Sequence, residues 1–344
     1  MADLSSAAVI VVNYGSHALL ETNLAPIGRE PAAPQIVVVD NASTPAERAT
    51  VVRLAEAYGW ATVLPESNLG FGAGVNRGVQ AALDAGARTL VVLNPDATIA
   101  PDQLEALVSR AQADPMALVA PMIVDADDHP AFYGYRVDLT DGATRSPRAV
   151  LIPGHRHEQW LTGACFALSA ELWQATGGLA EDYFLYWEDV DFSLRVLHAG
   201  GRLLNDTTIV ARHIEGGTQR PASTASPAAD GAAASSAAQT QEPSPRPRRR
   251  ARGGQRHSAT YYYWNVRNRL LLGARWARRQ ELSRWVRRTP QESWRILLRG
   301  GRRQILAHPT TTLVPAVRGA IDGLRLVHRE RFTQQERSNR ADDR

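Results

Sequence analysis

Three runs of consecutive apolar residues set the pattern of the N-terminal part of the chain. The runs are Val9–Val12, Ile36–Val39 and Leu90–Leu93, and most of their side chains are β-branched. Runs of this length and composition are typical of parallel strands that are buried on both faces. Helical patterns lie over residues 45–58, 72–85 and 101–112. This alternation predicts an α/β fold with a Rossmann-like, mostly parallel central sheet flanked by helices.

The remaining pattern predicts a helical C-terminal extension after a break. Residues 217–258 are rich in Ala, Ser, Thr, Pro and Gln, so we expect a disordered linker or loop there. The predicted segments are a first domain at 1–216, this linker, a basic helical region at 259–335 and a disordered tail at 336–344. Within the first domain, residues 117–160 are expected to hold a few strands, 169–177 and 188–200 to be helical, and 203–204 and 208–210 to be short strands.

The residues that come directly after the three apolar runs are polar. Ligands of open parallel sheets bind beyond the carboxyl ends of the strands, so these residues are expected to share one rim. Asp40 offers an acceptor for a pyrimidine base or a ribose, or it forms a turn or caps the following helix. Asp96 offers a ligand for a divalent cation that bridges a diphosphate, or part of an Asn-Pro-Asp turn. His213 is a second metal-ligand candidate or a structural histidine.

Two further segments carry candidate chemistry. Asn68–Gly78 is rich in glycine and opens a predicted helix, where backbone N–H groups can meet phosphate and Arg77 offers a cation or a surface partner. In Tyr183–Arg195, the carboxylates Glu188, Asp189 and Asp191 stand in an aromatic, apolar run. Carboxyl groups in such surroundings have a raised pKa and are useful proton acceptors. Asp191 and Arg195 are spaced for a structural ion pair on a helix.

Charge is divided unevenly along the chain, and arginine supplies all 39 basic side chains. Residues 1–245 carry 14 arginines against 28 acidic residues, whereas residues 246–344 carry 25 arginines against 7. The basic tail therefore indicates an anionic partner, either membrane lipid or nucleic acid.

Cys165 is the only cysteine, which excludes a disulfide framework within the chain and suits a reducing compartment. Its small, apolar neighbours indicate a buried thiol rather than a nucleophile. No signal-peptide pattern opens the chain, and no apolar run reaches the ~20 residues that a membrane-spanning helix needs. We therefore expect a cytoplasmic protein, located in part at the inner face of the cell membrane.

Eight segments follow one another in a characteristic order along the chain. They are Val12–Tyr14, Val38–Ser43, Asn68–Gly78, Leu93–Asp96, Thr162–Ala164, Gly177–Phe184, Trp187–Arg195 and His213. In this order they resemble glycosyltransferase family 2, especially its rhamnosyltransferase-like branch. The resemblance covers residues 7–216 well and Tyr261–Trp276 more loosely, and it implies a GT-A fold, a nucleotide-sugar donor and an inverting reaction.

By position in these segments, the resemblance implies a role for each acid. Asp40 would bind the nucleoside, Asp96 would hold Mg²⁺ or Mn²⁺, His213 would help to bind this metal or the diphosphate, and Asp189 would be the catalytic base. Asn94 stands where the family's D-x-D motif has its first Asp, which implies weaker metal binding. Glu188 is a second catalytic candidate and, with Trp187, a candidate for acceptor binding, although an aromatic residue there also fits the core. The other expected contacts of the nucleotide-sugar are Asn13, Tyr14, Asn41, Gly70, Asn76, Arg77 and Asn94.

The implied substrates are a dTDP- or UDP-sugar donor, with rhamnose as a candidate sugar, and a hydroxyl of a glycan or polyprenyl-diphosphate-linked acceptor in cell-envelope or polysaccharide synthesis. The basic tail would suit an anionic membrane surface. A nucleotidyltransferase is an alternative, but such enzymes usually have a basic, glycine-rich loop after the first strand, and residues 13–17 contain no Arg or Lys. Binding of nucleic acid through residues 246–256 is a third hypothesis that leaves the acidic motifs unexplained, so no nucleic-acid partner is expected.

Overall fold

The computed structural model describes residues 2–29, 33–214 and 257–342, with side chains up to residue 330. The predicted linker at 217–258 therefore lies outside the described residues, except for its last two. The strands are β1 (Ala7–Asn13), β2 (Gln35–Asp40), β3 (Ala61–Val63), β4 (Thr89–Leu93), β5 (Ala97–Ile99), β6 (Ala117–Val124), β7 (Pro130–Phe132), β8 (Tyr135–Asp138), β9 (Thr144–Arg145), β10 (His157–Trp160), β11 (Cys165–Ser169) and β12 (Arg202–His213). The helices are α1 (His17–Leu24), α2 (Pro45–Tyr58), α3 (Phe71–Asp84), α4 (Pro101–Ala113), α5 (Ala170–Thr176), α6 (Glu188–His198), α7 (Ala259–Trp276), α8 (Arg279–Arg287), α9 (Thr289–Arg299), α10 (Arg302–Ala307) and α11 (Pro309–Asp342).

The central sheet has the strand order β3-β2-β1-β4-β11-β6-β12-β5, with β7 beside β6. Strands β3, β2, β1, β4, β6 and β12 share one direction, whereas β11, β5 and β7 run against them. The prediction of a mostly parallel sheet is therefore confirmed. A small second sheet has the order β10-β8-β9.

The apolar runs form strands because both faces of the sheet are covered. Along β1, Val9 and Val11 pack into one core with α1, α2 and α4, whereas Ile10 and Val12 pack into the other with α3, α5 and α6. Side chains of a strand alternate between faces, so a strand that is buried on both sides must be apolar throughout.

Strand β12 differs from the prediction of two short strands. It runs without interruption from Arg202 to His213 and pairs with β6, with an irregularity between Asp206 and Val210. That irregularity coincides with the polar residues that the sequence interpretation read as a break. A β-bulge can absorb such residues within one strand.

The C-terminal helices form the predicted extension and pack on the first domain. Helix α11 lies along α7, and Gly319 and Gly323 of α11 leave room for Tyr263 and Leu270 of α7. Helix α11 extends to Asp342, into the predicted disordered tail, through residues such as Gln, Glu, Arg and Ala that favour helix. Among the described residues, no helix is long and apolar enough to cross a membrane.

Candidate active site

The tips of β1 and β2 carry Asn13 and Asp40, which are direct partners in the strand register and fully buried. Asn13 Nδ2 lies 3.2 Å from both Asp40 Oδ1 and Glu47 Oε1. Asp40 also accepts hydrogen bonds from Ser43 Oγ and from Arg48 Nε, the latter at 2.9 Å. The protein itself thus occupies both oxygens of Asp40, as the turn-forming alternative requires. Glu47 and Arg48 were missed by the sequence interpretation, since nothing in the helix pattern distinguishes them.

The next residues along the chain reach outward and toward the glycine-rich loop. Tyr14 is 55% exposed, so its ring is free to stack on a ligand. The Asn41 amide holds the loop, because its Nδ2 donates to Gly70 O (2.9 Å) and its Oδ1 accepts from Leu69 N (3.0 Å). Asn41 therefore ties the tip of β2 to the start of α3.

Gly70 brings this loop against the segment that precedes the acidic cluster. Its φ is +84°, and a Cβ atom added there would lie 2.4 Å from Phe184 O. Phe71 N donates to the same carbonyl at 2.7 Å. Only glycine combines this backbone conformation with so close an approach.

The other two predicted residues of α3 have different surroundings. Asn76 binds the backbone of Leu179 in both directions, with Nδ2 donating to O and Oδ1 accepting from N, each at 2.9 Å. Its side-chain amide thus ties α3 to the segment between α5 and α6. Arg77 is exposed and makes no ion pair within the described part of the chain.

Glu188 and Asp189 lie in the first turn of α6, where Glu188 is buried and Asp189 is half-buried. Glu188 is 6% exposed, and its Oε2 is buried without a hydrogen-bond partner among the described residues. Asp189 Oδ2 accepts from Gly163 N (3.1 Å), and its Oδ1 accepts from Val190 N (2.8 Å). An unsatisfied buried carboxyl oxygen needs a polar partner, which a substrate hydroxyl would supply.

The two carboxyl groups have raised pKa values. Burial, and after it the charge of Asp189, raises the pKa of Glu188 to about 8. Burial raises the pKa of Asp189 to about 6, against the lowering effect of the Gly163 and Val190 N–H groups. The pair therefore titrates in two steps, with pKa values of about 6 and about 8, and carries one proton and one negative charge at neutral pH, so that one carboxylate is available as a general base.

The turn Thr162–Ala164 links this pair to the tip of β4. Gly163 N donates to Asp189, and Ala164 O accepts from Asn94 N at 2.9 Å. Asp96 is nearby in the chain and 7% exposed. The acidic cluster, the glycine-rich loop and the ends of β1, β2 and β4 thus form one continuous set of contacts.

Asp96 and His213 are brought together although 117 positions separate them. His213 Nε2 lies 3.0 Å from Asp96 Oδ1, because β12 pairs with β5 next to Asp96. Asn94 Oδ1 is buried without a hydrogen-bond partner in the described structure. One carboxylate, one imidazole and one free amide oxygen fit a divalent cation that takes its remaining ligands from diphosphate and water.

Other groups of three metal-binding side chains lie elsewhere. Asp138, His155 and His157 cluster around the small sheet, and Asp125, Asp127 and His129 cluster in a turn. In the first group, Arg145 NH2 lies 2.8 Å from Asp138 Oδ2, so a cation already neutralises that carboxylate. The Asp96 pair remains the candidate metal site.

The aromatic segment before the acidic pair is part of the core. Trp187 is 9% exposed and packs in a cluster with Leu270 and Trp285, so its ring is a core side chain rather than an open wall for an acceptor. The predicted Asp191–Arg195 ion pair is confirmed, with 3.1 Å between Oδ2 and Nε.

A contribution that the sequence interpretation missed comes from α7. Asn268 is fully buried, and its Nδ2 lies within 2.6–2.9 Å of the carbonyl oxygens of Tyr183, Leu185 and Tyr186. The loose resemblance over Tyr261–Trp276 was the only available signal, and it assigned no role to this residue.

Comparison with known proteins identifies the family. The family described as Glycosyl transferase family 2 matches residues 8–185. An N-acetylglucosaminyl-diphospho-decaprenol L-rhamnosyltransferase of Mycobacterium tuberculosis is 30% identical over 219 residues, which cover 56% of this chain and 70% of the relative. The low-salt glycan biosynthesis hexosyltransferase Agl10 of Haloferax volcanii is 25% identical over 205 residues, covering 56% of this chain and 62% of its own length.

A solved structure extends the likeness to the whole fold. The mannosyltransferase PcManGT from Pyrobaculum calidifontis, in complex with GDP-Man and Mn²⁺, has a TM-score of 0.51 at 17% identity, covering 93% of this chain and 87% of that one. The predicted GT-A fold is thereby confirmed. With more than half of its length matched by the family, the chain belongs to glycosyltransferase family 2, is a glycosyltransferase, and is similar to the rhamnosyltransferases of that family.

Proposed function

We propose that this chain is an inverting glycosyltransferase that moves a sugar, rhamnose by analogy with its relative, from a nucleoside diphosphate to a hydroxyl of a lipid-linked glycan. The donor would be a dTDP- or UDP-sugar. The name of the Mycobacterium tuberculosis relative specifies a diphospho-decaprenol substrate, which supports a polyprenyl-diphosphate-linked acceptor in cell-envelope synthesis.

One observation carries the proposal: Asp189 is a half-buried carboxylate on the rim where the strand tips and the glycine-rich loop meet. Its Oδ2 is held by Gly163 N, and burial raises its pKa to about 6. A single base at such a rim suits inversion, which needs one displacement only.

In the proposed step, Asp189 accepts the proton of the acceptor hydroxyl as that oxygen attacks the anomeric carbon. A bond forms between the acceptor oxygen and the sugar, and the bond from the sugar to the diphosphate oxygen breaks with its electron pair. General-base assistance contributes roughly 10²–10⁴-fold. Glu188, protonated at neutral pH, donates a hydrogen bond to the acceptor.

Asp96 and His213 would hold a divalent cation, and Asn94, two residues before Asp96, has a buried side-chain oxygen without a hydrogen-bond partner among the described residues. When bound, Mg²⁺ or Mn²⁺ would neutralise the charge that develops on the leaving diphosphate. Tyr14, exposed at the tip of β1, is available to stack on the nucleoside base, and Arg77 offers a cation toward the diphosphate.

The proposal is tested by measuring the thermal stability of the full chain with dTDP-rhamnose and with UDP-sugars, each with and without Mn²⁺. One nucleotide-sugar should stabilise the protein, more strongly with the ion, by mass action. NMR of the transfer product should then show the anomeric configuration opposite to that of the donor. Retention of configuration would contradict the single-displacement mechanism.

A further inference from the structure

Helix α11 carries two apolar faces, and among the described residues only one of them is covered by protein. Ala316, Gly319 and Gly323 lie on the side that packs against α7. About 120° around the helix, four apolar side chains at spacings of three and four residues stay largely exposed. They are Val314 (59%), Val317 (58%), Ile321 (46%) and Leu324 (40%).

This stripe has a basic border. Arg318 and Arg325 follow on its solvent side, and their side chains are 77% and 76% exposed. Asp322 lies between them and pairs with both, so one positive charge is left over from the three groups. Trp294 of α9, 47% exposed, lines the groove beside the stripe together with Leu313 and Ile321.

We propose that this stripe docks the enzyme on an anionic lipid bilayer, where a lipid-linked acceptor would be presented. This inference rests on the proposed lipid-linked acceptor. It adds the part of the protein surface that would bind the membrane containing that acceptor. A helix with an apolar face and a basic border lies in the interface of an anionic membrane. A second copy of the chain is a less suitable partner for the stripe. Residues 246–344 carry 25 arginines against 7 acidic residues, so the positively charged regions of two copies would repel each other.

The experiment is flotation of the full chain with vesicles of phosphatidylcholine alone or mixed in equal parts with phosphatidylglycerol. Binding should require the anionic lipid and weaken with salt. The double variant Val317→Gln/Ile321→Gln should lose binding by roughly tenfold or more, since each substitution removes a large apolar side chain from the contact. Val150→Gln is the matched control, because Val150 is 90% exposed on the first domain.

The proposal would be overturned if the double variant bound the vesicles as strongly as the wild-type chain. It would also be overturned if binding to pure phosphatidylcholine equalled binding to the anionic mixture. A dimer in solution that the double variant abolishes would contradict it too, because the stripe would then be covered by a second copy. Flotation needs no turnover, so its failure is distinguishable from a failure of the proposed transfer reaction.

A separate observation concerns the segment that leads into the acidic pair. Phe184, Tyr186 and Trp187 all have positive φ, at 58°, 68° and 74°, a region that side-chain-bearing residues rarely adopt. Such a conformation persists only where its surroundings impose it. The next two residues are Glu188 and Asp189, so this backbone sets the direction of both carboxyl groups.

Contacts from α7 hold this segment in its conformation. Asn268 Nδ2 donates to this segment's carbonyls, and Arg267 NH1 bridges Asn268 Oδ1 (2.5 Å) and Asp182 O (2.7 Å). We infer that Asn268 is a positioning residue that acts on the reaction through Asp189. Among the described residues, its side-chain hydrogen bonds go to this segment and to Arg267 and not to the strand tips, so its effect should fall on turnover rather than on donor binding.

The test compares Asn268→Ala with Asn265→Ala. Asn265 is a buried asparagine on the same helix, but its Nδ2 donates within α7 to Tyr261 O. For Asn268→Ala, kcat should fall by about 100-fold, the cost of a small misplacement of a catalytic group, with the donor KM nearly unchanged. Asn265→Ala should keep kcat.

Amide hydrogen exchange over residues 184–190 gives a readout that does not depend on the assigned base. It should accelerate in Asn268→Ala and stay slow in Asn265→Ala. If Asn268→Ala does not fold, Asn268→Ser, which keeps one donor, takes its place. A folded variant with full kcat, or one that raises the donor KM alone, would contradict the inference.

Discussion

Glu188 and Asp189 are adjacent carboxyl groups with different surroundings. Asp189 is held by two backbone N–H groups, whereas the buried Oε2 of Glu188 has no partner among the described residues. Hydrogen bonds to the charged form lower a carboxyl pKa and burial raises it, so this difference determines which group keeps its proton.

The pair predicts a bell-shaped pH profile of kcat/KM. Asp189 accepts a proton only when ionised, so the rate should rise with pH up to about 6 and then level off. Above about 8, Glu188 loses its proton and can no longer donate the proposed hydrogen bond to the acceptor, so the rate should fall. In Glu188→Gln the acid limb should remain and the alkaline limb should vanish. An unchanged alkaline limb in that variant would assign it to another group.

At the metal site, Asp96→Asn should raise the Mn²⁺ concentration for half-maximal activity by more than about tenfold. Loss of even an outer partner of a metal ligand costs roughly 10–100-fold in affinity. A metal titration of transfer activity measures this. Asp125→Asn, a carboxylate of the separate turn cluster, is the control and should leave the titration unchanged. If Asp96→Asn and Asp125→Asn needed the same Mn²⁺ concentration for half-maximal activity, Asp96 would be excluded as the metal ligand.

Among the elements, the loop that starts α3 depends on one close contact. Gly70 combines positive φ with the approach of Phe184 O, so Gly70→Ala should both strain the backbone and push the catalytic segment away. Gly86 has a similar φ of +91° with open space around it. Gly86→Ala should therefore cost only about 1–2 kcal/mol in the free energy of unfolding.

Gly70→Ala should cost a further 1–3 kcal/mol or so, the range for overpacking, and should lower kcat as well. Chemical denaturation and steady-state kinetics of the two variants measure both effects. Equal stability losses would show that the contact with Phe184 is unimportant.

The strands β1, β2 and β4 could be predicted because each is buried on both faces, and burial alone dictates an apolar run. The direction of strand β11 could not be predicted in this way. It runs antiparallel to β4, and its direction depends on the path of the preceding chain rather than on the composition of the strand. The positive φ of Phe184, Tyr186 and Trp187 could likewise not be predicted from the sequence. None of these residues favours that conformation, and Asn268, which imposes it, lies more than 80 positions away.

For the site, the residue types and their order were predictable, but several of their partners were not. The pairing of Asp96 with His213 follows the strand ends and was expected from the resemblance. The engagement of Asp40 by Arg48 and the burial of Trp187 depend on packing, which no local pattern reports.

Across the whole molecule, the C-terminal helices complete the core of the first domain. Trp285 Nε1 donates to Leu139 O at 2.8 Å, and the buried guanidinium of Arg269 donates to Gly142 O at 3.0 Å. Tyr183 and Trp187 share a cluster with side chains of α7 and α8. The composition changes at residue 216, but the apolar core continues on both sides of that point.

A chain that ends at residue 216 should therefore lose cooperative folding and all transfer activity. Removal of α7–α11 exposes the apolar cluster and frees the segment that precedes Asp189. Thermal unfolding followed by near-UV circular dichroism, with the full chain as control, measures this. A truncated chain that folds and turns over donor at the full rate would show that the helices are an appendage.

The most direct test of the central claim is single-turnover transfer by Asp189→Asn, with donor affinity measured on the same preparation. The substitution removes the proton acceptor while keeping the size of the side chain. Transfer should fall by roughly 10²–10⁴-fold, the usual contribution of a general base, and donor affinity should stay nearly constant. Transfer at the wild-type rate would contradict the assignment of Asp189 as the base.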